Sequence, residues 1–344
     1  MADEEYAYPV YSSQTKDNGL MGYYNDYLYE NAITWTTDGA NAGTVHFRSG
    51  KFYCTNVCGV LLNDDGNANR CIAEILGSVS KKYVSYVGNP KLMNNVMAEI
   101  RISIPNLAEQ QKIDAFLSVI DLRVQKQQEL IEHLKKYKRG VVKTLLDPNQ
   151  NKRHDVVWET DTIGNLGTFI KGAALSKADI SNTGTPFILY GELYTTYKEV
   201  VRSIVRTTQA SVDDVYLSRV GDVVVPTSGE TPEEISTASC IMVPDVILAG
   251  DLNIYRSTIV DGRIMSYLLN HIVNEQIARV AQGKSVVHVQ ASEIGKILIT
   301  YPDHKEQERI AQILELLDNR IVASENTLNS MQKMKKALLQ QLFI

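Results

Sequence analysis

The chain has 344 residues, 44% of them hydrophobic and 22% charged, which indicates a globular protein of about two domains. Its net charge of −5 argues against a small protein that binds nucleic acid by charge alone, although a large DNA-binding protein can be acidic overall. No apolar run reaches the roughly 18 residues of a membrane span, and the acidic start does not resemble a signal peptide. Four cysteines in a chain of this length do not form a disulfide framework. We therefore expect a cytoplasmic protein.

Two globular blocks follow one another along the chain, and each has the pattern of an α+β domain. Short alternating runs such as "DVVVP" and "ILIT" predict strands, and "GRIMSYLLNHIVNEQIARVA" predicts a helix. Each block closes with an alternating segment that we predict to be a strand, "EIRISIP" in the first and "KILITYP" in the second. We expect the two domains at residues 1–104 and 148–301, and spacer helices at residues 105–147 and 302–344.

The two spacer segments repeat each other at an offset of 197 residues. Pro105 aligns with Pro302 and Gln110 with Gln307, and no gap is needed as far as Leu146. An internal repeat of this kind predicts two copies of one structural unit.

Both spacer segments carry a heptad pattern, with seam residues spaced alternately four and three apart, which predicts a coiled coil. The seam residues are Ile113, Leu117, Ile120, Val124, Gln127, Ile131, Leu134, Lys138, Val141 and Leu145 in the first copy, and Ile310, Leu314, Leu317, Ile321, Ser324, Leu328, Met331, Lys335, Leu338 and Leu342 in the second. Polar residues interrupt both seams at the same two places, and such residues fix register at a cost in stability. Two unrelated amphipathic helices would not account for the shared interruptions.

Chain connectivity favours antiparallel packing of the spacer helices. The second block leaves the end of the first helix and returns to the start of the second, over a length typical of one domain. A compact domain can join those two points only if they lie close together, whereas parallel helices would separate them by a helix length on the order of 60 Å.

The first block has a shorter start than the second. The second block carries "WETDTIGNLGTFIKGAALSKADISNTG" before its Thr-Pro, and the first carries only "MADEEYA" before its Tyr-Pro. Three explanations stay open, namely a shortened piece of the chain, a natural short form, or a domain that another chain completes.

These features together resemble the specificity subunit of Type I restriction-modification systems, over essentially the whole chain. The most specific marker is the motif P-x3-EQ-x-[KR]-I before each heptad run, at Pro105–Ile113 and Pro302–Ile310. The recognition blocks resemble the family more weakly, and the short first block departs from it.

The resemblance implies a pseudo-twofold protein with two target recognition domains separated by two long helices. Each domain would bind one half of a split double-stranded DNA target, and the helices would set the spacing of the halves. The chain would dock two modification (methyltransferase) subunits and the restriction/translocase subunits. S-adenosylmethionine would be held by the methyltransferase, so this chain would have no catalytic residues, cofactor or metal. Self-association is expected if another chain completes the first domain.

DNA contacts need Lys or Arg for phosphate, polar side chains for base edges and flat aromatic rings, carried on loops. For any one such residue an ordinary surface role competes with this expectation. The candidates in the first domain are Ser13, Gln14, Lys16, Asn18, His46, Arg48, Lys51, Lys81 and Lys82, and those in the second are Lys171, Lys177, Tyr190, Tyr194, Tyr197, Lys198, Lys284 and Ser285.

Other kinds of chemistry find little support. "ARVAQGKS" matches a permissive phosphate-binding loop, but a helical pattern precedes it and a β-rich one follows, the reverse of what that loop needs. Cys54, Cys58 and Cys71 near His46 lack the paired spacing of a structural zinc site. Two alternatives remain, namely a structural coiled-coil adaptor with protein-binding globular ends, and a self-contained restriction-methylation enzyme, whose motifs are absent from the sequence.

Overall fold

The structure, a computed structural model, describes residues 6–13, 16–151, 153–281 and 287–342, except for the side chains of Lys16 and Glu233. The chain divides into two compact units. Unit 1 comprises residues 1–130 and 324–344, and unit 2 comprises residues 131–323. None of the helices in the described ranges is both long enough and apolar enough to cross a membrane.

Unit 1 contains a mixed sheet with helices. Its elements, in chain order, are β1 (Tyr8–Tyr11), β2 (Leu20–Tyr24), β3 (Tyr29–Thr36), β4 (Val45–Cys54), β5 (Cys58–Leu61), α1 (Arg70–Ser80), α2 (Asn94–Ala98) and the long helix α3 (Leu107–Leu146), whose residues up to 130 belong to this unit. The strand order in its sheet is β2-β1-β4-β3-β5, and β3 is antiparallel to both of its neighbours.

Buried aromatic packing holds the centre of unit 1 together. Trp35 on β3 is buried, and its indole nitrogen donates a hydrogen bond to the Leu92 carbonyl at 3.0 Å. Gly59 on β5 lies against the face of this indole, where a Cβ atom would come within 2.1 Å of the ring. Helix α1 supplies the apolar side chains that cover the sheet, among them Ile72 and Leu76.

Unit 2 is larger and more strand-rich. Its elements are β6 (Trp158–Thr162), α4 (Ile163–Leu166), β7 (Gly167–Lys171), β8 (Thr185–Leu189), α5 (Glu192–Thr195), β9 (Val200–Val201), β10 (Arg206–Thr208), β11 (Asp222–Pro226), β12 (Ser228–Gly229), α6 (Pro232–Ile235), β13 (Ser239–Ile241), β14 (Ile247–Ala249), β15 (Leu252–Ser257), α7 (Gly262–His271), α8 (Asn274–Val280), β16 (Val287–His288), α9 (Ala291–Ile294), β17 (Leu298–Pro302) and the long helix α10 (His304–Leu342). Residues 131–146 of α3 and 304–323 of α10 belong to this unit.

The strands of unit 2 follow the same plan as those of unit 1. Strands β13, β11 and β15 pair antiparallel, as β4, β3 and β5 do. Strand β14 pairs in parallel with β8, which pairs antiparallel with β10, just as the end of β4 pairs with β1 and β1 with β2. The α+β class and the internal repeat predicted from the sequence are therefore confirmed.

The strand predicted at the end of the first block is wrong. In unit 2 the segment "LITYP" is β17, and it pairs with β6 over its whole length. In unit 1 the corresponding residues 101–105 form no strand. The alternating pattern is present in both, but a strand needs a partner, and among the described residues only the segment of unit 2 has one.

Helices α3 and α10 are antiparallel, as predicted. In unit 1, Asp121 of α3 contacts Lys335 of α10, and Gln127, further along α3, donates a hydrogen bond to the carbonyl of Ser324, which lies earlier on α10. The seam residues of both helices are fully or partly buried, with Leu342 at the chain end as the exception. The predicted coiled coil is confirmed, including its polar interruptions.

A buried glutamine explains the repeated motif at each helix start. Gln110 donates to the carbonyl of its motif proline at 2.9 Å and accepts a hydrogen bond from the Asn69 amide at 2.7 Å. Gln307 donates to its own motif proline at 2.9 Å and accepts from the Asp261 backbone N–H at 2.7 Å. Asn69 and Asp261 are the N-caps of α1 and α7, so each glutamine joins a spacer helix to the matching helix of its globular block.

The second polar seam position forms a buried ion cluster in unit 2. The Lys138 ammonium lies 2.6 Å from Asp318 on α10 and 2.9 Å from Glu199 of the globular block. Glu199 also contacts His271, and Asp318 accepts a hydrogen bond from the Tyr267 hydroxyl. Burial alone would raise the pKa of Glu199, but the hydrogen bond with His271 and the charge of Lys138 lower it to about 2.

Unit 1 repeats this arrangement at the equivalent positions. Lys335 lies 2.8 Å from Asp121 on α3 and 3.5 Å from Glu74 of the globular block. Asp121 has a second cation, Arg70, at 2.7 Å. In both units the seam lysine therefore ties the two helices to each other and to the block beside them.

Candidate nucleic-acid interface

A cleft of about 880 Å³ in unit 2 is the strongest candidate site for nucleic acid. One wall comes from the end of β7 and the loop that follows it, and the other comes from the segment between β16 and α9. Its polar lining residues are Lys171, Thr227, Asp251, Asn253, His288, Gln290 and Ser292. Three of these residues, Lys171, Asn253 and His288, lie on strands, and the other four lie on loops or in α9.

The cleft combines one exposed cation with several hydrogen-bonding groups. Lys171 is the last residue of β7 and pairs with Asn253 of β15. Asp251 is engaged by the Ser228 hydroxyl, which donates to it at 2.7 Å. Among the described residues the buried Asn253 side-chain nitrogen finds no acceptor. Lysine can bind a phosphate, while amide, imidazole and hydroxyl groups can bind base edges, so the set fits a DNA backbone and groove.

The other predicted residues of the second domain have different surroundings. Lys177 and Lys198 are exposed. The rings of Tyr190, Tyr194 and Tyr197 are packed against the hydrophobic core. Their role in packing is clear, and a stacking role with DNA stays a prediction.

Hydrogen bonds fix two of these tyrosines. The Tyr194 hydroxyl donates to the Ser228 carbonyl at 2.6 Å, and the Tyr197 hydroxyl accepts from the Val205 N–H at 3.1 Å. Burial raises the pKa of both Tyr194 and Tyr197. The predictions on Lys284 and Ser285 lie outside the described residues.

Unit 1 has a separate cavity of about 650 Å³ that collects three of its predicted residues, Asn18, His46 and Arg48. Arg48 is only 7% exposed, donates to the Thr34 hydroxyl at 3.1 Å and lies over the Tyr11 ring at 3.8 Å. Its guanidinium is therefore already engaged inside the protein, and a DNA contact by it stays a prediction.

His46 is neutral at physiological pH, since burial and the charges of Arg48 and Lys335 lower its pKa to about 4. It can accept or donate a hydrogen bond in the cavity but adds no positive charge there.

The remaining predicted residues of unit 1 are mostly on its surface. Lys51 is exposed, with its ammonium 4.5 Å from the centre of the Tyr27 ring. Lys81 and Lys82 are exposed on a short turn of helix after α1, and Ser13 is half-buried. Gln14 and the side chain of Lys16 lie outside the described residues. The structure does not gather these residues into one cleft.

Sequence reasoning missed most of the unit 2 cleft. His288 and Gln290 follow the predicted "GKS" loop within a short alternating run, a signal that could have extended that prediction. Asp251 and Asn253 gave no such signal, because only the pairing of β15 with β7 brings them beside Lys171. A potential metal site is not found either, since no group of three or more His, Cys, Asp or Glu side chains suited to a metal occurs in the described part of the chain.

Comparison with known proteins agrees with this architecture. The chain matches the family model "Type I restriction modification DNA specificity domain" over residues 2–136 and 156–331. A putative type I specificity subunit of Mycoplasma pneumoniae, S.MpnORF289P N-terminus, is 42% identical over 113 residues, which cover 32% of this chain and 60% of that protein. The type I restriction enzyme MpnII specificity subunit of the same organism is 39% identical over 108 residues, covering 30% of this chain and 32% of that protein. The chain thus matches less than two thirds of the length of these relatives.

Two solved structures share the fold. The S subunit of a type I restriction-modification system from M. genitalium has a TM-score of 0.65 at 17% identity, covering 100% of this chain and 90% of that one. A chain from a type I R-M system, studied for complex assembly and conformational transition, has a TM-score of 0.60 at 12% identity, covering 98% and 91%. Two family-model matches that together span most of the chain place it in the type I restriction-modification DNA specificity family.

Proposed function

We propose that this chain is the DNA sequence-recognition subunit of a type I restriction-modification complex and that it binds a bipartite target. The observation that carries the proposal is the repeat of one assembly, in which a globular α/β block is joined to an antiparallel helix pair by a buried glutamine and a seam lysine. Two equivalent blocks on one chain suit two half-sites, and a helical spacer of fixed register suits a constant gap between them.

The unit 2 cleft supplies the contacts for one half-site in this proposal. Lys171 binds the phosphate backbone, and His288, Gln290 and Ser292 face the base edges. The exposed predicted lysines Lys177 and Lys198 extend the phosphate contacts. The overall net charge of −5 does not oppose this role, because only the contact surface needs to be basic.

The spacer helices offer surfaces for the methyltransferase subunits. In unit 1, Phe116, Val119 and Leu122 of α3 are about half exposed and follow one another at intervals of three residues, which gives an apolar strip on one side of the helix. Such a strip marks a protein-binding surface. In this proposal two methyltransferase subunits dock on the chain and hold S-adenosylmethionine, and restriction/translocase subunits join them. The chain itself recognises the DNA sequence.

Methylome mapping tests the proposal. The chain is expressed with a type I methyltransferase partner, and modified positions are mapped across genomic DNA. We expect a split motif with a constant gap, and cells with the methyltransferase alone are the control. Exchange of residues 158–300 for the same region of a relative should change one half of the motif only. A continuous motif or a change in both halves would contradict the bipartite target. The same methylation without this chain would contradict DNA recognition altogether and favour a structural adaptor.

A further inference from the structure

Two of the four cysteines of the chain lie on either side of one tight turn in unit 1. Cys54 is the last residue of β4, and Cys58 is the first residue of β5. The Cys58 N–H donates a hydrogen bond to the Thr55 carbonyl at 3.1 Å, which closes the turn between the two strands. The backbone therefore holds the two cysteines near each other.

The side chains of the two cysteines also meet. The Tyr11 carbonyl accepts a hydrogen bond from the Thr55 N–H, next to Cys54, at 3.0 Å, and the Cys58 thiol donates to the same carbonyl at 3.8 Å. Both cysteine side chains pack in one small apolar cluster with Phe52. A hydrogen bond joins the two thiol groups, with the Cys54 thiol as the donor.

The two thiols differ in exposure and in acidity. Cys54 is buried, whereas Cys58 is half-buried. The hydrogen bond from Cys54 lowers the pKa of Cys58 to about 7, against the opposing effect of burial, and the charge of Arg48 also lowers it. The same hydrogen bond, together with burial, raises the pKa of Cys54. Cys58 therefore supplies a thiolate near neutral pH while Cys54 keeps its proton.

The buried Thr55 hydroxyl fits the same assignment. Among the described residues it has no other hydrogen-bond partner, so it is free to donate to Cys58 when that thiol ionises. A buried hydroxyl without a partner costs free energy, and the thiolate removes that cost.

The other two cysteines have the surroundings of inert core residues. Cys71 on α1 and Cys240 on β13 are fully buried, each in a hydrophobic cluster without a second cysteine. Burial raises the pKa of Cys71 to about 11 and that of Cys240 to about 12. They serve as internal controls for the pair.

We propose that Cys54 and Cys58 are a redox-active thiol pair and that a hydroperoxide oxidises them to a reversible disulfide within the chain. The disulfide links the end of β4 to the start of β5, and an excess of a small thiol opens it again. This modification does not depend on whether the chain binds DNA.

The oxidation proceeds in two balanced steps. The Cys58 thiolate attacks one oxygen of hydrogen peroxide, the O–O bond breaks, and Cys58 becomes a sulfenic acid while the departing hydroxide takes up a proton to form water. The Cys54 sulfur then attacks the Cys58 sulfur, and the S–O bond breaks. The hydroxide that leaves takes the Cys54 proton and forms a second water. Two thiols lose two hydrogen atoms and two electrons in all, and one peroxide is reduced.

Peptide mapping of the full chain tests the pair. The protein is treated with hydrogen peroxide, its free thiols are alkylated with N-ethylmaleimide in urea, and it is digested with trypsin. Both cysteines fall in the tryptic peptide of residues 52–70, whereas Cys71 and Cys240 fall in two other peptides. We expect the first peptide to lose two hydrogen atoms and to carry no maleimide, and dithiothreitol to restore both alkylation sites. Cys71 and Cys240 should stay fully alkylated.

Serine variants assign the two roles. In Cys54→Ser the oxidation should stop at the sulfenic acid of Cys58, which dimedone traps. In Cys58→Ser the remaining Cys54 should oxidise at least about tenfold more slowly, because the thiolate and not the thiol reacts with peroxide. Cys71→Ser is the matched control and should form the disulfide at the rate of the wild-type chain. The mapping of the wild-type chain needs no variant, so a variant that fails to fold leaves the main result intact.

Three results would overturn the proposed pair. One is a peptide of residues 52–70 whose two thiols both remain free when peroxide is in excess. Another is conversion of Cys58 to sulfinic acid in the wild-type chain while Cys54 stays a thiol. The third is equal oxidation rates for Cys54→Ser and Cys58→Ser, which would contradict the assignment of Cys58 as the attacking thiolate.

Discussion

Replacing Lys138 by methionine removes the ammonium that contacts both carboxylates of the buried cluster in unit 2, while keeping the length of the side chain. The lysine side chain is 8% exposed and contacts both Asp318 and Glu199. The pKa of Glu199 lies near 2 instead of 4.5, a difference that corresponds to about 3 kcal/mol. His271 contributes part of this, but Lys138 also neutralises Asp318. We therefore expect Lys138→Met to lower the free energy of unfolding of unit 2 by about 3 kcal/mol.

The two tryptophans of the chain allow each unit to be followed separately. Trp35 lies in unit 1 and Trp158 in unit 2. Urea unfolding of a Trp35→Phe background reports unit 2 through Trp158, and a Trp158→Phe background reports unit 1 through Trp35. The midpoint and slope of each transition give the change in free energy.

The repeat supplies a matched control, Lys335→Met. Lys335 is the equivalent residue, but its side chain is 25% exposed, and its partner Asp121 keeps Arg70 at 2.7 Å after the change. We expect a loss of about 1 kcal/mol or less in unit 1. Equal losses in the two units would refute the reasoning, because burial and the number of remaining cations are what distinguish them.

A rescue experiment separates lost charge from lost packing. Adding Glu199→Gln and Asp318→Asn to Lys138→Met removes the uncompensated buried charges, so most of the lost stability should return. If the triple variant is as unstable as Lys138→Met alone, uncompensated buried charge is not the cause of the loss and the electrostatic explanation fails.

Three further predictions concern the cleft, the seam and pH. Lys171→Ala should weaken DNA binding severalfold and reduce by about one the slope of the logarithm of the binding constant against the logarithm of salt concentration. The control Lys143→Ala, at an exposed residue, should change neither quantity. Equal effects of the two changes in a binding titration would remove Lys171 from the interface. Leu117→Asp, at a fully buried seam residue, should destabilise unit 1 by at least about 3 kcal/mol, and an unchanged melting temperature would contradict the seam. Because the folded-state pKa of Glu199 is depressed, its contribution to the free energy of unfolding is present above pH 4.5 and is lost as the pH falls towards 2. The free energy of unfolding of Glu199→Gln, measured by urea unfolding at each pH, should not show this loss.

The sequence predicted the helical parts of this protein well, because their signals are local and repeated. A heptad seam and a proline-glutamine motif that occurs twice need no knowledge of distant residues. The polar seam residues were also predicted, but their partners were not. The contacts of Lys138 with Glu199 and of Lys335 with Glu74 depend on how each globular block packs on the helices.

The candidate site was harder to predict, because strand pairing decides which side chains reach the surface. Tyr194 and Tyr197 occur in a tyrosine-rich run typical of a stacking surface, yet their rings are partly buried and pack against the core. Arg48 has the chemistry of a phosphate ligand but is buried over Tyr11. The alternation of "EIRISIP" predicted a strand that forms only where a neighbouring strand exists. In each case the sequence specified the residue type, and long-range packing determined its surroundings.

The buried glutamine at each junction has an evolutionary consequence. It is held by the carbonyl of its motif proline, by the cap of one helix and by the residue two positions before that cap, Asn67 for Gln110 and Ile259 for Gln307. The joint therefore involves only one short segment of each block. Genetic recombination can replace the loops or a whole block. The new block can pack on the spacer helix if its helix cap forms the same hydrogen bond with the glutamine. In the function proposed above, such an exchange would replace one half of the recognition apparatus and leave the helical frame unchanged.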